Sequence, residues 1–181
     1  DSRVDLSESK ESGGGISSEG GNVTIEGCQI MGNESEDSAA LYMDSGELEI
    51  TDSIIKQNQS QAAFAGIMFY NSNVVISQSK FSDNRGFFGG AITGLLSNVE
   101  IYDSSFSDHN TYVGGGILSI GSDWIIARST FSDNYASAHA TGETNCDDGI
   151  DNDSDGTTDM FDDDCTIGNG GAIAEMIYLS T

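Results

Sequence analysis

The sequence predicts an all-β fold, a parallel β-helix of about 25 residues per coil, and three observations predict it. A short phrase ending in Ile recurs as Gly15-Ile16, Gly90-Ala91-Ile92, Gly115-Gly116-Ile117 and Gly171-Ala172-Ile173, with weaker copies at Ala40-Leu41 and Gly66-Ile67. Successive copies from Ile16 to Ile117 stand 25 or 26 residues apart. Within each copy the apolar residues alternate with polar ones over short stretches, and no stretch carries a sustained helical stripe. A constant interval of this length marks one structural unit stacked on the next.

The elements follow in order along a copy. The first strand opens at Ile16, Leu41, Ile67, Ile92 and Ile117. Nine residues later comes the second aliphatic column, Ile25, Ile50, Ile76, Ile101 and Ile126, with Val23, Leu48, Val74, Val99 and Trp124 two residues before it. Segments such as Val23-Thr24-Ile25 and Val99-Glu100-Ile101 alternate as a half-buried strand does. The third strand centres on Ile30, Ile55, Phe81, Phe106 and Phe131. β-Branched and aromatic residues suit such pleated, half-buried positions. Three residues further on stand Asn33, Asn58, Asn84 and Asn134, with His109 in the remaining copy. An asparagine there is expected in a turn, bonded to backbone and to the asparagine of the next coil. The glycines before the first strand are expected to turn the chain at positive φ. Each copy is thus three short strands. Stacking at ~4.8 Å, five coils make a rod on the order of 24 Å long. Periodicity does not set the hand; the crossover rule favours a right-handed coil.

Residues 1–181 are read as a single β-helix domain. Formal net charge is −24, and the basic residues are Arg3, Lys10, Lys56, Lys80, Arg85 and Arg128. Nucleic acid and anionic lipid require clustered Lys and Arg, so neither is an expected partner. No apolar run has the length of a membrane-spanning helix, so membrane insertion is not expected. The chain does not open on Met, and Val4-Asp5-Leu6 reads as the third strand of a preceding coil. No capping helix is legible at either end. The expectation is a segment of a longer rod, or ends that meet other copies head to tail, which yields a filament.

The repeating residues Phe81-Ser82-Asp83-Asn84, Phe131-Ser132-Asp133-Asn134 and Gly89-Gly90-Ala91-Ile92 resemble the paired Phe-x-x-Asn and Gly-Gly-Ala-Ile repeats of the polymorphic outer membrane protein family. Ile30-Met31-Gly32-Asn33 and Ile55-Lys56-Gln57-Asn58 are degenerate copies. The resemblance implies a right-handed β-helix at a bacterial cell surface or secreted from it, with an adhesive role.

One turn carries an insert, residues 135–168. The next Gly-x-Ile phrase is due eight residues after Asn134 and arrives only at Ile173. Between Cys146 and Cys165 the insert is dense in aspartate and holds no Lys or Arg. Asp151, Asp153 and Asp155 alternate, Gly156 follows, and Asp159 and Asp162 come next. This is the EF-hand order of ligands at loop positions 1, 3, 5, 9 and 12 with Gly at 6, and Thr157 stands where the backbone carbonyl ligand belongs. Asp at the twelfth place is shorter than the usual Glu, which weakens bidentate closure. Asp148 and Asp164 are candidates for a second site. Oxygen ligands alone point to Ca²⁺, since zinc and copper favour imidazole or thiolate. The segment also resembles the Cys-bracketed, Asp-rich metal-binding motif of many secreted bacterial proteins, through Cys146, Asp148-Gly149, Asp151-Asn152-Asp153, Asp155-Gly156, Asp159, Asp162, Asp164 and Cys165. Ser154 and Met160 stand where copies of that motif often carry further cysteines. Cys146 and Cys165 are expected to form a disulfide, a closure worth roughly 3 kcal/mol in the chain-entropy picture. Such a bridge implies an oxidising, extracellular compartment. Cys28 shares a column with Ser53, Ser79, Ser104 and Ser129 and is read as a small buried thiol, with an intermolecular bridge as the alternative.

For catalysis the candidates are Asp103, Asp108, His109, Asp123 and Arg128, because β-helix lyases and hydrolases use carboxylates, or calcium with a cation, on one outer face. An Asp103–Arg128 pair one coil apart is more simply an ion pair across strands. His139 lies within the insert, without a carboxylate at fixed spacing. Asn22, Asn33, Asn58 and Asn152 begin glycosylation sequons. The expectation is a structural or adhesive protein rather than an enzyme, its partners other copies of itself, surface glycans or surface proteins. A carbohydrate-active or glycan-binding β-helix is the alternative.

Overall fold

A computed structural model describes residues 2–5, 8–9, 14–61, 63–136 and 173–176. Among these residues every regular element is a strand, and every pairing between strands is parallel. The strands stack along four lines. Ile16–Glu19, Ile92–Leu95, Ile117–Ile120 and Ile173–Met176 belong to the first line, and Asn22–Glu26, Asn98–Tyr102 and Asp123–Ala127 to the second. In two coils these lines fuse into the long strands Leu41–Thr51 and Ile67–Ser77. Ser2–Asp5, Cys28–Met31, Ile54–Lys56, Lys80–Ser82, Ser105–Ser107 and Thr130–Ser132 form the third line. Beyond the expected three lies a short fourth line, including Glu34–Ser35, Gln59–Ser60, Asn110–Thr111 and Tyr135–Ala136. Its pairs are two residues long and mostly polar, so no apolar alternation marks them.

The apolar columns stand in register. Ile16, Leu41, Ile67, Ile92 and Ile117 pair in succession, as do Ile25, Ile50, Ile76, Ile101 and Ile126. Val4 extends the third column below Ile30. Ile50, Ile76 and Ile101 are fully buried. Phe81, Phe106 and Phe131 form a stack with centroids 5.0 and 4.7 Å apart. Gly94 makes room where Phe69 and Trp124 converge; a Cβ there would lie 2.7 Å from each ring. The Trp124 indole N–H donates to Ser119 Oγ at 2.8 Å, so the half-buried ring keeps its donor satisfied.

The corners are built alike. A single residue turns at positive φ, and the residue after it points into a side-chain ladder. Asp52, Gln78, Asp103 and Arg128 turn this way before Ser53, Ser79, Ser104 and Ser129. Gln57, Asp83, Asp108 and Asp133 do so before Asn58, Asn84, His109 and Asn134, and Asn71 and Leu96 before Ser72 and Ser97. In the asparagine ladder the backbone N–H of Asn33 donates to Asn58 Oδ1, and that of Asn58 to Asn84 Oδ1, both at 3.1 Å. The Asn58 and Asn84 amides donate in turn to the carbonyls of Ile30 and Ile55. In the serine ladder Ser53, Ser79 and Ser104 donate their N–H groups to Ser79, Ser104 and Ser129 Oγ, each at 3.2 Å. At these corners the backbone donors are thereby satisfied by one side chain from the next coil.

The expectation of positive φ before the first strand holds at Gly89 and Gly114 and not at Gly15, Gly66 or Gly116. Gly66 is required for closeness instead, because a Cβ on it would collide with the Ala91 carbonyl stacked above. Cys28 is half-buried rather than buried. Its Sγ occupies the serine place, donating to the Glu26 carbonyl at 3.1 Å, while its own N–H donates to Ser53 Oγ.

The rod resumes after the insert. Ile173–Met176 pairs with Ile117–Ile120, Ile173 opposite Ile117. The interrupted coil therefore re-enters the first line at the position the repeat demands.

Candidate functional site

Asp103 and Arg128 occupy equivalent corners one coil apart. Arg128 Nε donates to Asp103 Oδ1 at 2.7 Å and Nη2 to Oδ2 at 2.8 Å, a two-pronged pair on the surface. The guanidinium also lies over the Tyr102 ring, 5.8 Å from its centroid. The hydrogen bond from Arg128 holds the Asp103 carboxyl below the usual carboxylate range. Both carboxylate oxygens are engaged by one guanidinium, so Asp103 is a fixed anion rather than a proton donor. Asp123 opens the last strand of the second line opposite Asn98 and is exposed. Asp108 turns the corner before His109.

His109 stands in the asparagine ladder. Its Nδ1 accepts the Asn84 N–H at 3.1 Å, which assigns the ring proton to Nε2. Its own N–H donates to Asn134 Oδ1. The residue is 1% exposed, and Nε2 has no hydrogen-bond partner. Burial pushes the imidazole down to about 4, against a smaller opposing influence from the Asn84 hydrogen bond, Asp108, Asp83 and the Phe81 carbonyl. A ring enclosed in this way supports the turn and does not reach a substrate. Asn33 and Asn58 are equally buried, with amides committed to the ladder, so their sequons are closed to glycan in the folded rod.

Asp148, Asp151, Asp153, Asp155, Thr157, Asp159, Asp162, Asp164, Cys146, Cys165 and His139 lie outside the described residues. Among the described residues no group of three or more His, Cys, Asp or Glu is placed to hold a metal.

One surface escaped sequence reasoning. Along the fourth line Glu34, Gln59, Arg85, Asn110 and Tyr135 succeed one another in register, one per coil. Gln59, Arg85, Asn110 and Tyr135 are exposed. Arg85 Nε and Nη2 both donate to Asp83 Oδ1 at 3.2 Å. Beside this column the Phe87 and Tyr112 rings stack 4.6 Å apart, 42% and 44% exposed. The signal was present: these positions repeat at the same interval, one residue beyond the asparagine column.

A family model described as a right handed beta helix region matches residues 3–85. The coil is a right-handed parallel β-helix. The register carries the same architecture beyond the matched stretch, through Tyr135–Ala136 and on to Ile173–Met176. Searches of curated proteins and of solved structures found no match.

Proposed function

We propose that this protein is an extracellular structural and adhesive rod whose Asp-rich insert, closed by a Cys146–Cys165 disulfide, binds Ca²⁺. The observation that carries the reading is the in-register return of Ile173 onto Ile117 after the insert. The repeat does not need the inserted residues to complete its coil, so their composition is free to serve another purpose. Nine aspartates between two cysteines repel one another without a counter-ion. Asp151, Asp153, Asp155, Thr157, Asp159 and Asp162 would supply the oxygen ligands, and Asp148 and Asp164 would serve a second ion. The polar repeat surface, with net charge −24, suits a soluble exterior rod. Such rods, meeting end to end, would assemble into filaments.

Calorimetric titration of the purified, oxidised chain with Ca²⁺ tests the metal, and limited proteolysis tests the loop. Calcium is expected to protect residues 140–168 from cleavage, and chelation to restore cleavage there while leaving the rod intact. Absence of a calcium-binding signal, with cleavage unchanged by chelation, overturns the metal assignment. Electron microscopy in calcium tests assembly; isolated monomers at high concentration would exclude the filament.

A further inference from the structure

We infer that two copies of this chain pair side by side, running in opposite directions, through a charge-free apolar patch on the later coils of the first strand line. This pairing is separate from end-to-end assembly and does not depend on the calcium loop.

The outward column at the end of the first line changes character along the rod. Glu19, Asp44, Tyr70, Leu95 and Ile120 follow one another in register, one per coil. The first two are carboxylates, and the next three are apolar. Tyr70 is 39% exposed, and Leu95 and Ile120 are half-buried. The adjoining corner adds Leu96, 58% exposed in a left-handed turn. Leu96 leans onto the next corner, where a Cβ on Gly121 would lie 3.0 Å from its Cδ2. The turn itself does not call for leucine, because the equivalent corners use Ser45, Asn71 and Gly121. Apolar groups held outward in adjoining coils mark a contact surface.

Charge decides what covers it. The chain has 30 acidic residues and net charge −24, yet residues 57–79, 86–99 and 109–122 contain no Asp, Glu, Lys or Arg. Those stretches supply the three coils that carry the patch. Its neighbours along the chain are Asn71, Ser72, Ser97, Asn98 and Gly121. Two chains this acidic repel wherever carboxylates meet carboxylates. On this patch they can touch with no charge in the contact. A basic partner finds no carboxylate to pair with there and would settle elsewhere on the rod.

The same column sets the direction. Copies lying parallel would bring Glu19 and Asp44 against the same residues of the second copy. Copies lying antiparallel, with the two-fold axis at Leu95, put Tyr70 against Ile120 of the second copy and Ile120 against its Tyr70. That is the reciprocal contact a two-fold interface requires. Asp44 then falls opposite Met176, which follows Ile120 in the column. A patch three coils high and about one strand wide is small beside the ~800 Å² per partner of a stable interface. The pairing is therefore weak and reversible.

Sedimentation velocity of the full chain over a concentration series, with chelator present, tests it. A monomer–dimer equilibrium is expected, and it should strengthen as NaCl is raised, because salt screens the repulsion between the rods and has no ion pair to weaken. Leu95→Asp and Leu96→Asp should each weaken pairing about tenfold or more, since each sets like charges against each other in the contact. Leu96→Asp is compatible with the turn, because Asp52, Asp83, Asp103, Asp108 and Asp133 already occupy left-handed corners. Thr130→Asp, exposed on the third line, should leave pairing unchanged. Glu19→Gln combined with Asp44→Asn should also leave it unchanged; marked strengthening would place those carboxylates across the interface and overturn the antiparallel arrangement. Circular dichroism checks that each variant keeps the fold. A chain that stays monomeric throughout, or a dimer indifferent to both leucine substitutions, overturns the inference. Open-ended oligomers that survive both substitutions overturn it too, but leave the filament reading standing. A monomer that binds phosphatidylcholine vesicles, and loses them on Leu96→Asp, assigns the patch to a lipid surface and likewise overturns the pairing.

Discussion

His109 is the residue at which the ladder has been altered at a cost. Asparagine at this place accepts one N–H and donates to a carbonyl one coil below; the imidazole accepts from Asn84 but leaves Nε2 without a partner. Protonating Nδ1 would remove the acceptor that Asn84 uses. With the folded imidazole at about 4 and the unfolded one near 6.5, the unfolded chain binds more protons between those values. Stability is therefore full above about pH 6.5 and falls as pH drops through 4. The loss is about 3 kcal/mol, from the size of that displacement. His109→Asn is expected to raise stability at pH 5 and to remove this part of the acid sensitivity, as read by urea denaturation at several pH values. The sequence revealed that a histidine had entered an asparagine column. It did not reveal burial or the orphaned nitrogen, which depend on what closes around the ring.

A corner is the smallest element that repeats, and its stability resides in the ladder more than in the turn. Removing the Asn58 amide would strip the Asn33 N–H of its acceptor and the Ile30 carbonyl of its donor, both inside the rod. Asn58→Ala is expected to cost about 3 kcal/mol, since a buried orphan costs ~1–3 kcal/mol. Urea titration measures the loss, and hydrogen exchange should localise it to the coils of Asn33 and Asn58. The strand columns were legible because apolar alternation is a strong signal, and the asparagine column because Asn33, Asn58, Asn84 and Asn134 recur at one fixed offset from the third apolar column. The Ser72, Ser97 and Ser122 ladder was not, because Gly46 occupies its place in the preceding coil. The positive-φ corners were hidden for a different reason. Leu96 and Arg128 carry no chemical mark of a left-handed backbone, and stacking imposes it on them.

At the scale of the whole molecule the rod and the insert are separable in sequence. Removing residues 138–168 restores the eight-residue interval that leads from Asn84 to Ile92 and from His109 to Ile117. The shortened chain is expected to keep the β-sheet circular dichroism spectrum and to melt within a few degrees of the parent, because Ile173 already pairs where the repeat places it. Calorimetry and circular dichroism check both, and the same variant should bind no calcium. The position of the insert was legible as a break in a strict interval. Its chemistry was legible only as composition and spacing, because ligands in an irregular loop are not ordered by a repeat.

All three ladders point one way, the backbone N–H of an earlier coil reaching for the side chain of the later one. Any coil that presents the same three acceptors can follow any coil that presents the same donors. An in-frame duplication or loss of one unit would leave no broken bond at the seam. Reach is then a property that heredity can tune in steps of a single rung.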